Sequence, residues 1–67
     1  MLKPGDKVEV FQKPFTREDP EGVAQVVRII SRRKEGDQID FRCMVNFPED
    51  GPDTVVERRI FVPINPS

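Results

Sequence analysis

The chain contains no histidine, tryptophan or tyrosine, and Cys43 is its only cysteine. A single cysteine cannot form a disulfide within the chain, and without histidine a conventional zinc site has too few nitrogen or sulfur ligands. The serine and threonine hydroxyls have no imidazole to activate them, which excludes a nucleophilic triad. Twelve carboxylates are present, but the closest group, Glu49, Asp50 and Asp53, is interpreted as a solvated turn. We therefore expect no enzyme activity, no metal and no cofactor.

Long apolar runs are also missing. The longest mostly apolar stretch, Val23–Ile30, is interrupted by Gln25 and Arg28 and is far shorter than the ~20 residues that a membrane-spanning helix needs. The first ten residues alternate charged and apolar side chains, unlike a signal peptide. A lone cysteine fits a reducing compartment. The sequence thus predicts a soluble, cytoplasmic protein without membrane contact.

Neither sign of charge dominates, because 11 basic and 12 acidic residues leave a formal charge of −1. This balance removes the long-range attraction to phosphate that a dedicated nucleic-acid binder carries, but it leaves room for a local basic patch. The 67 residues are enough for one domain, residues 1–67. A core of this size rarely supplies more than roughly 3 to 5 kcal/mol, and small chains often gain stability from a partner subunit.

Seven prolines and four glycines interrupt almost every window in which a helix would fit. The exception is residues 23–35, where the apolar residues include many β-branched valines and isoleucines. Such side chains disfavour helix and favour a pleated strand. The fold class predicted for the whole chain is therefore all-β.

The first predicted strand is Lys7–Phe11, in which Val8 and Val10 alternate with charged residues. Gln12–Glu21 contains two prolines and no apolar repeat, so it is predicted to be a long loop. Phe15 is its natural anchor, because it is the one aromatic side chain that this loop can fold back onto the sheet.

The second predicted strand begins at Gly22 and runs to about Ser31, with apolar residues on both phases, as in strands that bend between two sheets. Arg32–Gln38 is predicted to be a polar hairpin loop. Ile39–Phe47 shows the clearest alternation of apolar and polar residues in the chain, broken only by Met44. This pattern predicts a central strand that supplies much of the core, with Cys43 as a small core residue.

Pro48–Asp53 is a cluster of turn residues, and a fourth strand is predicted from about Thr54 to Ile60. Its apolar residues fall on both phases, so its inward phase stays open, and a bulge is one way to reconcile them. Val62 is predicted to form a short fifth strand before Pro63. Five strands within 67 residues predict a small five-stranded SH3-like barrel.

Short motifs support that fold: Gly5-Asp6-Lys7-Val8, Glu21-Gly22-Val23-Ala24, Val45-Asn46-Phe47 and Val56-Glu57-Arg58-Arg59-Ile60. These motifs resemble segments of small bacterial and phage proteins with SH3-like barrels, and the resemblance covers most of the chain. In similar sequences the last motif often reads Arg-Trp followed by an aliphatic residue. Arg59 stands in place of that tryptophan here, so the resemblance does not imply a pocket built on its ring.

Seven basic residues fall on predicted strands two to four or in their hairpin: Arg28, Arg32, Arg33, Lys34, Arg42, Arg58 and Arg59. Neighbouring strands would bring several of them onto one outer face as a basic patch. The alternative is a solvated face in which arginines pair with residues such as Glu57, each pair contributing little. The sequence alone does not decide whether these residues form one patch.

The absence of tryptophan and tyrosine argues against a polyproline groove or a methyl-lysine cage. Of the five phenylalanines, Phe15 is the best candidate for a surface site, because it lies in the long loop and outside the central strand.

The leading hypothesis is a non-enzymatic protein-interaction module or accessory subunit that binds a protein partner or a second copy of itself. Its contact surfaces would be the loop Gln12–Glu21, the tip Glu49–Asp53 and any open strand edge. The alternative is weak, non-specific and salt-dependent binding of nucleic acid through the basic strand face. No small-molecule substrate is indicated. The candidate interaction residues are Phe15 and the seven basic residues named above.

Overall fold

The computed structural model describes residues 2–64, which form one antiparallel sheet with the strand order β1-β2-β3-β4. The strands are β1 (Lys7–Lys13), β2 (Glu18–Glu35), β3 (Gln38–Asn46) and β4 (Val55–Pro63). A 3₁₀ turn, Pro48–Asp50, follows β3. The all-β prediction is confirmed. The five-stranded barrel is wrong, because the described residues form four strands, and β1 and β4 remain edges that no backbone ladder joins.

Two predicted loops are parts of strands. β1 extends to Lys13 and β2 begins at Glu18, so only residues 14–17 remain of the long loop. Likewise β2 extends to Glu35, where it pairs with Gln38, and only two residues connect β2 to β3. The first of them, Gly36, has a φ of 61°, which a two-residue hairpin turn requires and glycine adopts without strain. The polar residues thus occupy the solvated ends of long hairpins.

The predicted fifth strand is not a separate element, because Val62 belongs to β4. The register between β3 and β4 runs without interruption from Gln38 opposite Pro63 to Asn46 opposite Val55. The bulge considered for strand four is therefore not there. Alternate residues of β4, among them Val56 and Ile60, face the core, and the intervening residues face outward.

The bulges lie in β2 instead. Along the β2–β3 ladder Val27 and Ile30 have no partner, because the register shifts by one residue at each of them. A third shift leaves Glu21 unpaired in the β1–β2 ladder. Bulges bend and twist a strand. One strand can therefore pair with β1 over residues 18–25 and with β3 over residues 25–35.

The core lies on one face of the curved sheet and takes side chains from all four strands. Its buried members are Leu2, Val10, Ala24, Val26, Phe41, Cys43, Val45 and Ile60. Three of them come from β3, as the alternation in residues 39–47 predicts. Phe41 is the largest side chain that is fully buried, at 1% exposure.

Cys43 is fully buried in this core. Burial raises the pKa of its thiol to about 11, and the negative charge of Asp40 adds to the shift. The thiol is therefore protonated at neutral pH and is not a nucleophile.

Candidate interaction surfaces

Four of the seven basic residues share the outer face of the sheet. Arg33 lies opposite Asp40, and Arg42 lies opposite Arg59. Directly opposite residues in an antiparallel pair share a face. Arg28 and Arg33 are five positions apart, so a regular strand would point them to opposite faces. Because Ile30 between them has no partner, the register shifts by one residue and both side chains point to the same face. The outer face therefore carries Arg28, Arg33, Arg42 and Arg59.

The other three basic residues are on the inward phase, because Arg32, Lys34 and Arg58 lie opposite core residues of β3. Arg58 contacts residues outside the basic set. Its Nε donates to Oε1 of Glu21 at 2.8 Å, and its guanidinium lies 5.8 Å from the centre of the Phe47 ring. The hydrogen bond to Glu21 raises the pKa of Arg58 above its ordinary value. The seven residues therefore do not form a single patch.

A concave surface of about 440 Å³ lies among the outer-face arginines. We call it the arginine groove, and it is lined by Ser31, Arg32, Arg33, Asp40, Arg42 and Arg59. Asp40 is only 8% exposed, and Nη2 of Arg59 donates to its Oδ2 at 2.6 Å. This hydrogen bond raises the pKa of Arg59. Asp40 was not a sequence-based candidate, because its outward phase in β3 gave no sign of burial.

Arg59 also borders a second concavity, the aromatic hollow, of about 300 Å³. It is lined by Lys13, Pro14, Phe15, Thr16, Glu35, Arg59 and Phe61. The rings of Phe15 and Phe61 meet edge to face with centroids 5.2 Å apart, and Phe15 remains 50% exposed. The Arg59 guanidinium lies 5.2 Å from the centre of the Phe61 ring. Phe15 is thus anchored on β4 and still presents half of its surface.

The turn that carries Phe15 is tied to the sheet by Arg17. Nη2 of Arg17 donates to Oε1 of Gln38 at 2.8 Å and to the Phe61 carbonyl at 3.2 Å. Nε2 of Gln38 in turn donates to the Phe15 carbonyl at 3.4 Å. Arg17 has a φ of 59°, an uncommon value for a non-glycine residue, and these bonds hold it there. The hairpin tip is therefore fixed next to the edge of β4.

A third concavity, the turn cleft, has a volume of about 500 Å³ and opens where β3 leaves β2. Its lining is Lys7, Glu21, Gly22, Val23, Ala24, Gln25, Phe47, Pro48, Glu49 and Asp50. The last β2–β3 pair is Gln25 with Asn46, after which the chain enters the 3₁₀ turn. Nδ2 of Asn46 donates to the carbonyls of Gly51 and Thr54, both at 2.7 Å, and so fixes the far wall.

The backbone of Val23 faces this cleft. The N–H and C=O of Val26 are both used on the β1 side, by Asp6 and Gly5, each at 2.8 Å. Successive residues in an antiparallel strand point their polar backbone groups to opposite edges. Gln25 therefore points toward β3, where it pairs with Asn46, and so does Val23, which has no β3 partner among residues 2–64. No sequence pattern indicates this open edge, because the edge depends on where β3 ends.

A comparison of the chain with protein-family models, with curated proteins and with solved structures finds no match. Within residues 2–64 no helix is long and apolar enough to cross a membrane. The same residues contain no group of three or more cysteine and acidic side chains arranged to hold a metal ion. The three concave surfaces are therefore the features of the described residues that indicate a function.

Proposed function

We propose that this chain is a non-enzymatic interaction module that binds an extended segment of a partner protein in the turn cleft. The observation that carries the proposal is the backbone of Val23, which lines a concave surface beside β2, points toward β3 by the alternation of the strand and has no β3 partner among residues 2–64. An extended peptide can pair with such an edge as an additional strand, and its side chains then enter the neighbouring pockets. Unpaired edges of this kind are natural sites of strand addition.

The lining of the cleft indicates the chemistry of the partner. Val23, at 57% exposure, and Phe47 offer apolar contact. Glu49 and Asp50 lie on the wall formed by the 3₁₀ turn. The charge of Glu21 is already met by Arg58. The partner segment should therefore alternate apolar side chains, which cover Val23, with lysines or arginines that reach the turn.

A cytoplasmic location belongs to the same proposal, because Cys43 is a buried free thiol and a reducing compartment keeps it free. The role is that of a small accessory subunit, since a core of this size leaves little stability to spare.

Replacement of Val23 by proline tests this role. The substitution removes the N–H that faces the cleft and leaves the residues that point toward β1, Gly22 and Ala24, unchanged. We expect affinity for a bound peptide to fall by about tenfold, because a backbone hydrogen bond is lost and the pyrrolidine ring blocks the edge. The peptides are selected from a display library of random decapeptides, and their affinities are measured by fluorescence anisotropy.

Val23→Ala is the matched control, because it shortens the side chain but keeps the N–H. It should bind the selected peptides within a few-fold of the original chain, and thermal melting should show that both variants are folded. Selected peptides should alternate apolar and basic residues. Failure to select any peptide, or peptides that bind Val23→Pro as tightly as Val23→Ala, would contradict strand addition at this edge.

A further inference from the structure

The arginine groove carries an excess of positive charge on a protein that is almost neutral. Four guanidinium groups and one carboxylate line it. That carboxylate, Asp40, is buried and already bound by Arg59. Of the other guanidinium groups, those of Arg33 and Arg42 come from outer-face positions of β2 and β3. An anion entering the groove would meet these side chains without an unpaired carboxylate between them.

The ion pairs that Arg33 and Arg42 already make would compete only weakly with an anion for their guanidinium groups. Nε of Arg42 lies 3.5 Å from Oε2 of Glu57, and both side chains are 55% exposed. Nη2 of Arg33 lies 3.3 Å from Oε2 of Glu35, again between largely exposed side chains. Exposed pairs of this kind contribute little to stability. Both guanidinium groups can therefore turn to a phosphate, whose oxygens suit their fork of donors.

The groove continues into the aromatic hollow through Arg59, which lines both. In the hollow Arg59 already stacks on Phe61, and the edge-to-face contact leaves Phe15 with half of its surface in solvent. Lys13 and Glu35 also line the hollow and carry opposite charges. A basic groove beside an exposed aromatic ring is the combination that proteins use to bind single-stranded nucleic acid.

We infer that the outer face of this protein binds single-stranded nucleic acid, with backbone phosphate held between Arg33 and Arg42 and an adjacent base stacked on Phe15. This site is independent of the turn cleft and shares no lining residue with it. The single strand is favoured over a duplex because only an unstacked base can lie on Phe15. A phosphorylated peptide would fill the groove but supplies no base for the ring.

The binding should be sequence-tolerant and should depend on salt. The contacts come from phosphate and from one ring face, which every base possesses. The slope of log K against log salt is about −0.7 for each phosphate contact on a single strand. Two guanidinium contacts therefore predict a slope of about −1.4.

The experiment is a fluorescence-anisotropy titration of the full chain into labelled oligothymidine and oligouridine of about ten nucleotides, starting at about 20 mM salt. Arg33→Gln and Arg42→Gln should each weaken binding several-fold and flatten the salt slope by about 0.7. Phe15→Leu should weaken binding by about tenfold and leave the salt slope unchanged, because it removes a stacking face and no charge.

Lys34→Gln is the matched control, because it removes the same charge from the neighbouring residue on the opposite phase of β2. It should bind within twofold of the original chain. A measurement on the unaltered chain accompanies the variants: the side-chain Nε–H signals of Arg33 and Arg42 and the ring signals of Phe15 should shift when the oligonucleotide is added. This result does not depend on any variant folding.

Several results would overturn the inference. Absence of binding at low salt would do so, since phosphate attraction is strongest there. If Arg33→Gln and Lys34→Gln lowered the affinity for the oligonucleotide equally, net charge alone would account for the binding. Tighter binding of a duplex with the same number of phosphates, or equal competition by inorganic phosphate or a phosphoserine peptide, would show that no base lies on Phe15.

Discussion

Replacement of Phe41 by alanine will lower the free energy of unfolding by about 3 to 5 kcal/mol. Phe41 is 1% exposed and lies in β3, which has a strand on each side, so the cavity left by its ring cannot be refilled from solvent or from a mobile edge. A chain of this length has a total stability of roughly the same size. Most of the variant should therefore be unfolded at room temperature, which urea titration followed by circular dichroism will measure.

Phe15→Ala is the comparison for this result, because it deletes the same atoms from a ring that is 50% exposed. Its cost should be about 1 kcal/mol, the contribution of an edge-to-face aromatic pair. If Phe41→Ala costs no more than Phe15→Ala, the core does not lie on the inner face of β3.

The second large effect concerns the Asp40–Arg59 pair. Arg59→Gln leaves the carboxylate of Asp40, which is 8% exposed, without its cation. Loss of one partner from a fully buried pair costs about 3 to 5 kcal/mol. Because the Arg59 side chain is 47% exposed, water can replace part of the interaction, and we expect about 2 kcal/mol.

A double-mutant cycle separates this interaction from other effects of the substitution. Asp40→Asn combined with Arg59→Gln should cost less than the sum of the single variants by about 1 kcal/mol or more, measured by urea titration at neutral pH. The same cycle on the exposed pair Arg42 and Glu57 should give a coupling below about 0.5 kcal/mol. Additive costs at Asp40 and Arg59 would show that the two residues do not act as a pair.

The sequence predicted the inner face of β3 because a period of two over residues 39–47 has one simple meaning for a strand. It did not predict the lengths of the hairpins. Polar residues at 32–35 are as suitable for an exposed strand end as for a loop, and only pairing with Gln38 and its neighbours distinguishes the two. The barrel prediction failed for a related reason, since Val62 was counted as a new strand although it continues β4.

The candidate surfaces were likewise predictable only where they do not depend on strand pairing. Phe15 was identified because it is an aromatic residue in a polar segment. The grouping of Arg28 with Arg33 could not be predicted, since it depends on the unpaired position of Ile30. Apolar residues on both phases of residues 23–30 were the only signal of irregularity, and they did not indicate where the bulges lie. The open edge at Val23 has no sequence signal, because it arises from the divergence of β3.

The course of β2 therefore determines both proposed sites. Its bulges bring Arg28 onto the same outer face as Arg33 and set Arg33 opposite Asp40, and the end of its pairing with β3 at Gln25 opens the turn cleft. Without the bulge at Ile30, β2 would point Arg28 and Arg33 to opposite faces of the sheet. Both proposed sites consequently depend on the register between β2 and β3.

That register can be measured by nuclear Overhauser contacts between backbone protons of the isotopically labelled chain. The structure predicts contacts between Arg33 and Asp40, together with contacts between Val26 and Val45. Contacts of Arg33 with Gln38 would contradict it, because they are what an unbroken register continuing from the Val26–Val45 pair requires.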